Sequence, residues 1–219
     1  MKSEEIKSKI SAFFTRSWLK RVLALVLASA ALYWFVGMAR DKVHSDSIAG
    51  VDVTGVHHLG PNFNVSQFFV DGYYGSNVGR GGGGGSNVCC VLLPKKWRPG
   101  LSAEVRWNLN DWSHEKPSEV EAGNYDSVAG GGSYIATVPV ERYEKASHVW
   151  VHFYTGGKVR IVSSQFVSWG KNHPIQDNDQ HAVDSATAGR RVAALFSDAE
   201  RVEMQRKDEE HKKAHGDWR

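Results

Sequence analysis

The stretch from Gly81 to Trp107 reads GGGGGSNVCCVLLPKKWRPGLSAEVRW. Its run of consecutive glycines forms a loop, because glycine loses the most backbone entropy on ordering and has no side chain to pack. Val88 to Leu93 follows as a short apolar run between that loop and Pro94, which reads as a buried strand. Lys95, Lys96, Trp97, Arg98, Pro99 and Gly100 make a cationic turn around one aromatic residue, and Ala103 to Trp107 starts the next strand.

Outward from this segment the hydrophobic period is two. Val51 and Val53 alternate with Asp52 and Thr54, and Asn64 to Val70 leads through Asp71-Gly72, a hairpin-type turn, into Tyr73 and Tyr74. Tyr134 to Val140, His148 to Tyr154 and Val159 to Ser164 bring the total to about seven strands, the last two joined at Thr155-Gly156-Gly157-Lys158. A mainly β fold follows, an antiparallel β-sandwich or a partly open barrel over residues 51–175. Asn108 to Gly132 is polar and reads as a long excursion closed by Gly130, Gly131 and Gly132.

The chain has 219 residues, 41% of them hydrophobic and 11% aromatic, enough for one domain with a real core plus appendages. A net charge of +3, with bases spread among nearly as many acids, does not supply the concentrated basic face of a nucleic-acid binder.

Before the β region, Ser3, Glu4 and Glu5 resemble a helix start, and Ile6, Ile10, Phe13 and Phe14 recur at helical spacing, so residues 1–21 read as a cytoplasmic amphipathic segment. Val22 to Ala39 carries no charge and, at ~1.5 Å per residue, crosses most of a ~30 Å hydrocarbon core. Trp18 on one side and Tyr33 with Trp34 on the other suit the two interfaces. Ala28-Ser29-Ala30 also fits a signal-peptidase pattern. Cleavage there leaves a very short apolar region and an exposed LYWFVGMA, which favours an uncleaved signal anchor. Lys2, Lys7, Lys9, Arg16, Lys20 and Arg21 precede the span against Arg40 and Lys42 after it, which orients the N-terminus to the cytoplasm. The expected topology is a single pass through a bacterial inner membrane, a tether over 40–50 and a periplasmic β domain. Residues 176–219 read as a polar linker and a helix from about Ala188 to Lys213. Val192, Leu195, Phe196, Ala199 and Val202 form its stripe, and Glu203/Lys207 and Asp208/Lys212 stand at i,i+4 spacing.

The order of the glycine run, the Cys89-Cys90 pair and the Lys95 to Leu101 turn resembles the bacterial domain of unknown function 3304 family, with a likeness extending over roughly Val51 to Gly170. The resemblance implies an envelope protein. Family members are often lipoproteins held by a lipidated cysteine, whereas this chain has no cysteine before Cys89, so the helix stands in for the lipid. Relatives occur beside lipase effectors of type VI secretion systems, which implies an immunity protein that neutralises such a toxin in the periplasm.

Chemistry-bearing residues are sparse. His148 and His152 share a strand face but lie ~13 Å apart, and His57 and His58 point to opposite faces, so no metal site is expected. Neither a Gly-x-Ser-x-Gly elbow nor a His-Glu-x-x-His helix occurs, and the chain reads as no enzyme, without a cofactor. Cys89 and Cys90 are a candidate vicinal thiol pair, but strand neighbours sit ~3.8 Å apart at Cα, below the ~4.4 Å usual for a disulfide, which favours buried packing cysteines. The glycine loop has two readings, an anion-binding nest or a permit for close backbone packing. Trp97 likewise reads either as a binding anchor or as a plug at the end of the domain. Lys95, Lys96, Trp97 and Arg98 are taken as the partner-binding residues, because an amphipathic Trp with adjacent cations suits a lipase's acidic mouth and a glycine loop offers little area. The functional expectation is a membrane-anchored periplasmic binding protein, with a structural envelope protein binding peptidoglycan, lipid headgroup or another envelope protein as the alternative.

Overall fold

The computed structural model describes residues 25–30, 33–34, 48–83, 87–176, 179 and 181–215. The chain divides into two units, Met1–Ile48 and Ala49–Arg219. In the first, residues 25–30 and 33–34 are helical, and the Ser29 hydroxyl donates to the Val26 carbonyl at 2.8 Å. Among the described residues no helix is long and apolar enough to cross a membrane. The amphipathic segment 1–21, most of the expected span and residues 40–47 of the tether lie outside the described residues.

The second unit is mainly β, with two five-stranded sheets that do not close into a barrel. One sheet has the order β4-β1-β7-β8-β9, using β1 (Ile48–His58), β4 (Val88–Pro94), β7 (Val149–Tyr154), β8 (Lys158–Ser163) and β9 (Thr187–Ala188). The other runs β10-β6-β5-β2-β3, from β2 (Phe63–Val70), β3 (Tyr73–Tyr74), β5 (Ser102–Asp111), β6 (Gly132–Pro139) and β10 (Arg190–Val192). The second sheet is antiparallel throughout its described pairs. The first is mixed: β1 and β7 pair in parallel, from Val53 opposite Val149 to His58 opposite Tyr154. This corrects the purely antiparallel expectation. Alternation within a strand reports its faces but not the direction of its neighbour, and β1 and β7 are far apart in sequence.

The core lies between the sheets, where Val53, Val91, Val151, Phe153 and Ile161 of one meet Val65, Phe68, Val105, Trp107 and Val138 of the other. Phe153 meets Phe68 edge-on at 5.3 Å between ring centroids and Trp107 at 5.7 Å. Burying a large apolar side chain of this kind is worth ~1.5–3 kcal/mol. The turns follow the residue chemistry. Asp71 and Gly72 both adopt positive φ between β2 and β3, and Gly156 and Gly157 do so between β7 and β8, where glycine meets no Cβ penalty.

Every residue of β7 is buried, because both of its faces are covered. Its outer face carries Trp150, His152 and Tyr154, and over it lies the segment 164–186, whose Ile175 and Ala182 pack on Val56, Trp150, Tyr154 and Val162. β4, by contrast, is an edge strand. Val91 and Leu93 face the core while Leu92 is 51% exposed, so the run read as a buried strand is buried on one side only.

Residues 187–192 add a short strand to each sheet where a helix was expected. The C-terminal helix is α2 (Asp198–His215), and α1 is the short Pro117–Glu121. Ser197 and Glu200 cap α2 reciprocally: the Ser197 N–H donates to Glu200 Oε2 at 2.7 Å, and the Glu200 N–H to Ser197 Oγ at 3.2 Å. Among the described residues the helix is tied to the second sheet at its start. Arg106 donates to the Leu195 carbonyl at 2.7 Å and to Glu200 at 2.8 Å beneath the Phe196 ring, whereas residues 201–210 are exposed. Both i,i+4 pairs form, Lys207 to Glu203 at 3.4 Å and Lys212 to Asp208 at 2.9 Å.

Candidate functional site

The turn after β4 is fastened to the segment 140–146. Trp97 Nε1 donates to the Val140 carbonyl at 2.8 Å, Tyr143 Oη to the Pro94 carbonyl at 2.6 Å, and the Ala146 N–H to the Lys95 carbonyl at 3.0 Å. Trp97 is half-buried and packs against the core, while Lys95, Lys96 and Arg98 are exposed. Arg142 and Lys145 are exposed on the facing segment. None of these five cations makes an ion pair among the described residues.

Beside the turn opens a cleft of about 410 Å³, lined by Tyr143, Lys145, Ser147, Ser164, Phe166 and Asn172 among others. Three of its hydroxyls, those of Tyr143, Ser163 and Ser164, are engaged in the fold. Ser163 Oγ donates to the Ser147 carbonyl at 3.1 Å, Ser164 Oγ accepts from the Phe166 N–H at 3.1 Å, and burial pushes the Tyr143 hydroxyl above its ordinary range. One rim of the cleft is apolar and open to solvent, with Phe166 39%, Val167 42% and Trp169 70% exposed.

Beneath that rim three histidines form a chain. His58 Nε2 lies 2.9 Å from His152 Nδ1, His152 Nε2 lies 3.1 Å from His173 Nε2, and His173 Nδ1 lies 3.0 Å from the Phe166 carbonyl. His152 and His173 are buried. Desolvation, then the neighbouring His58, His173 and Arg160, drives the His152 pKa well below the ordinary histidine value. Tyr154 stacks on His58 at 4.7 Å, and burial pushes its hydroxyl up to about 12. Spacing along one strand cannot reveal this chain. His58 and His152 meet because β1 and β7 are neighbours, and His173 arrives on the covering segment. Parity was informative for part of it, since His57 turns to the other side and bonds the Gly79 carbonyl at 2.7 Å. The rings do not converge on a common point, because His58 and His173 engage opposite nitrogens of His152.

Cys89 and Cys90 are joined as a vicinal disulfide, Cys89 exposed and Cys90 half-buried. Neither is buried, which corrects the reading of the pair as buried packing cysteines. The Asp52 carboxylate and both sulfurs lie within 4.8 Å of one another, but thiolates rather than disulfide sulfurs are metal ligands. The glycine loop closes on the other end of β1, where the His57 N–H donates to the Gly82 carbonyl at 3.0 Å. Arg80 is engaged there by the Pro61 carbonyl at 2.9 Å, away from the cationic turn.

Residues 61–161 match a family described as Protein of unknown function (DUF3304). Over this stretch, a little under half of its length, the chain is similar to that family. The DUF3304 match begins after β1 and ends within β8. It therefore includes the cysteine pair, the cationic turn, Tyr143 and His152, while His58, the apolar rim and His173 lie outside it. No curated protein and no solved structure matches the chain.

Proposed function

We propose that this protein is a binding module of the bacterial envelope, anchored through Val22 to Ala39, which docks an acidic protein partner on the Lys95, Lys96, Trp97, Arg98 end of its β domain. The observation that carries the reading is the set of five cations, Lys95, Lys96, Arg98, Arg142 and Lys145, exposed and without ion pairs among the described residues, beside a cleft and around an anchored Trp97. An excess of positive charge, five cations against the exposed Glu144 of the cleft wall, steers and selects an oppositely charged partner. Trp97 supports the surface from below rather than reaching into a partner, so the turn is pre-organised and loses little entropy on binding.

Within that class, the resemblance to proteins found beside type VI lipase effectors supports an immunity protein, with the lipase effector as partner. The alternative is a structural envelope protein that binds peptidoglycan, lipid headgroup or another envelope protein. Titration of the full chain with an inactivated type VI lipase effector, with isolated sacculi and with phosphatidylglycerol vesicles separates the readings. Saturable binding to the effector alone is expected, whereas binding only to sacculi or vesicles overturns the immunity reading. Alkaline phosphatase fused after Gly60 is expected to be active and after Arg16 inactive. The reverse pattern contradicts the periplasmic assignment.

A further inference from the structure

Cys89 and Cys90 sit on the edge strand β4, beside the first half of β1. The Cys90 sulfur stands 3.7 Å from the point where a side chain on Gly50 would begin, so it lies over the bare backbone of that residue. Gly50 and Asp52 are two apart on β1 and face the same side. The Asp52 carboxylate therefore projects beside the cysteine pair, and it comes within 4.8 Å of both sulfurs. Among the described residues this carboxylate makes no ion pair. Its charge falls on His148, the residue before β7. Asp52 and Cys89 are exposed and Cys90 is half-buried, so a reductant and a cation both reach them.

Joined as a disulfide, the two sulfurs carry no negative charge and hold no cation. Reduction by a dithiol changes that. One thiolate of the reductant attacks the exposed Cys89 sulfur, a mixed disulfide forms, the Cys89–Cys90 bond breaks, and Cys90 leaves as a thiolate that takes up a proton. The reductant's second thiolate then attacks its own sulfur in the mixed disulfide. Cys89 leaves and is protonated, and the reductant departs as a disulfide, having given up two electrons and two protons. The chain then offers two thiols and a carboxylate on one face. A divalent cation that binds them displaces the two thiol protons to solvent.

The ligand set selects the cation. Zinc binds thiolate sulfur at ~2.3 Å and carboxylate oxygen at ~2.0–2.2 Å, so its tetrahedral ligands stand ~3.5–3.8 Å apart. Side-chain rotation supplies that spacing from atoms already within 4.8 Å of one another. Two sulfurs and one oxygen suit zinc, whereas copper(I) favours sulfur and magnesium or calcium favours oxygen. We infer that Cys89, Cys90 and Asp52 form a redox-gated zinc site, shut while the cysteines are joined and open to one ion per chain once a dithiol has reduced them. The site is independent of the docking surface proposed above.

The test uses the full chain, oxidised and after treatment with dithiothreitol that is then removed by gel filtration under argon. Thiol titration is expected to find none before treatment and both cysteines after it. Zinc, titrated against a chromophoric chelator, is expected to bind the reduced chain at one ion per chain with release of about two protons, since ordinary cysteine titrates near ~8.5. Cadmium in place of zinc should give thiolate-to-metal ultraviolet absorption in the reduced chain alone. Zinc held by any of the ten histidines binds both forms alike, so the difference between the forms is the readout. Asp52→Asn is an exposed, nearly isosteric change that should weaken zinc binding by about tenfold or more and leave the thiol count as it is. Equal zinc affinity in the two forms, or a disulfide that dithiothreitol leaves intact in the folded chain, overturns the gate. Half an ion per chain, which puts the metal between two copies, or unchanged affinity in Asp52→Asn overturns the three-ligand site.

Discussion

Nε2 of His152 stands 3.1 Å from Nε2 of His173, a contact that ties the central strand β7 to the segment covering its outer face. One partner comes from a strand buried on both sides and the other from a stretch with little regular structure, so the bond joins the most protected part of the domain to its outer layer. Loss of either ring leaves a polar nitrogen of the other buried, which costs ~1–3 kcal/mol.

Stability should fall in mild acid. His152 has a folded pKa well below that of the unfolded chain, with desolvation as the leading cause. Above pH 6.5 both states hold the ring neutral and stability is flat. Below it the unfolded chain takes up a proton that the folded chain refuses, and about 1.4 kcal/mol is lost per pH unit until the folded pKa is reached. His57 and His148, lowered mainly by burial, act in the same direction. Urea melts at pH 7.5 and 5.5 check this, and equal stability at the two values would contradict it.

Gly55→Ala should destabilise the domain by ~1–3 kcal/mol. A Cβ at position 55 meets Val78 Cγ2 at 2.5 Å and Phe68 Cε1 at 2.8 Å, both in the core between the sheets. Gly83→Ala meets nothing within 4 Å and should leave the melting temperature nearly unchanged. Thermal denaturation of the two variants side by side gives the comparison.

The strands were legible in the sequence because alternation and turn chemistry are local. Asp71-Gly72 and Thr155-Gly156-Gly157 marked their hairpins, and each run between them became a strand. The parallel pairing of β1 with β7 and the assembly of His58, His152 and His173 were not legible, since both depend on contacts between distant segments. Val192 was placed on a helical stripe because its spacing to Leu195 and Phe196 suits one, yet it pairs with Ser133 as a strand. A few apolar residues at helical spacing cannot outweigh an available sheet edge. Cys89 and Cys90 read as buried packing residues, yet Cys89 is exposed and Cys90 half-buried, which alternation does not give, since Cys89 has the parity of core-facing Val91 and Leu93.

Arg106→Ala should free α2 while leaving the β domain folded. The guanidinium bonds Glu104 at 2.6 Å, Glu200 at 2.8 Å and the Leu195 carbonyl at 2.7 Å, and it is the main polar tie between the second sheet and the start of the helix. Its bonds hold the Glu200 carboxyl down at about 2, so docking that is intact above the ordinary carboxylate range weakens as the pH falls toward that value. Limited proteolysis near residues 196–201 reads the release. An unchanged cleavage pattern in Arg106→Ala would show that the ring contact of Phe196 with Phe69, 4.8 Å between centroids, suffices by itself.

Trp97→Ala should cost ~2–4 kcal/mol of stability, because the indole packs on the core and its N–H satisfies the Val140 carbonyl. Its effect on binding is therefore inseparable from its effect on folding. Charge reversal of the exposed neighbours is the cleaner probe, as surface substitutions of this kind usually change stability by within ~0.5 kcal/mol.

Affinity of the Lys95→Glu/Lys96→Glu/Arg98→Glu variant for an inactivated lipase effector, titrated at low and at physiological salt with melting temperatures measured alongside, tests the central proposal most directly. The expected result is a folded variant whose affinity is down roughly tenfold or more, with a salt dependence weaker than that of the wild type. Wild-type affinity and salt dependence in a folded triple variant would contradict the assignment of the partner surface to this end of the domain.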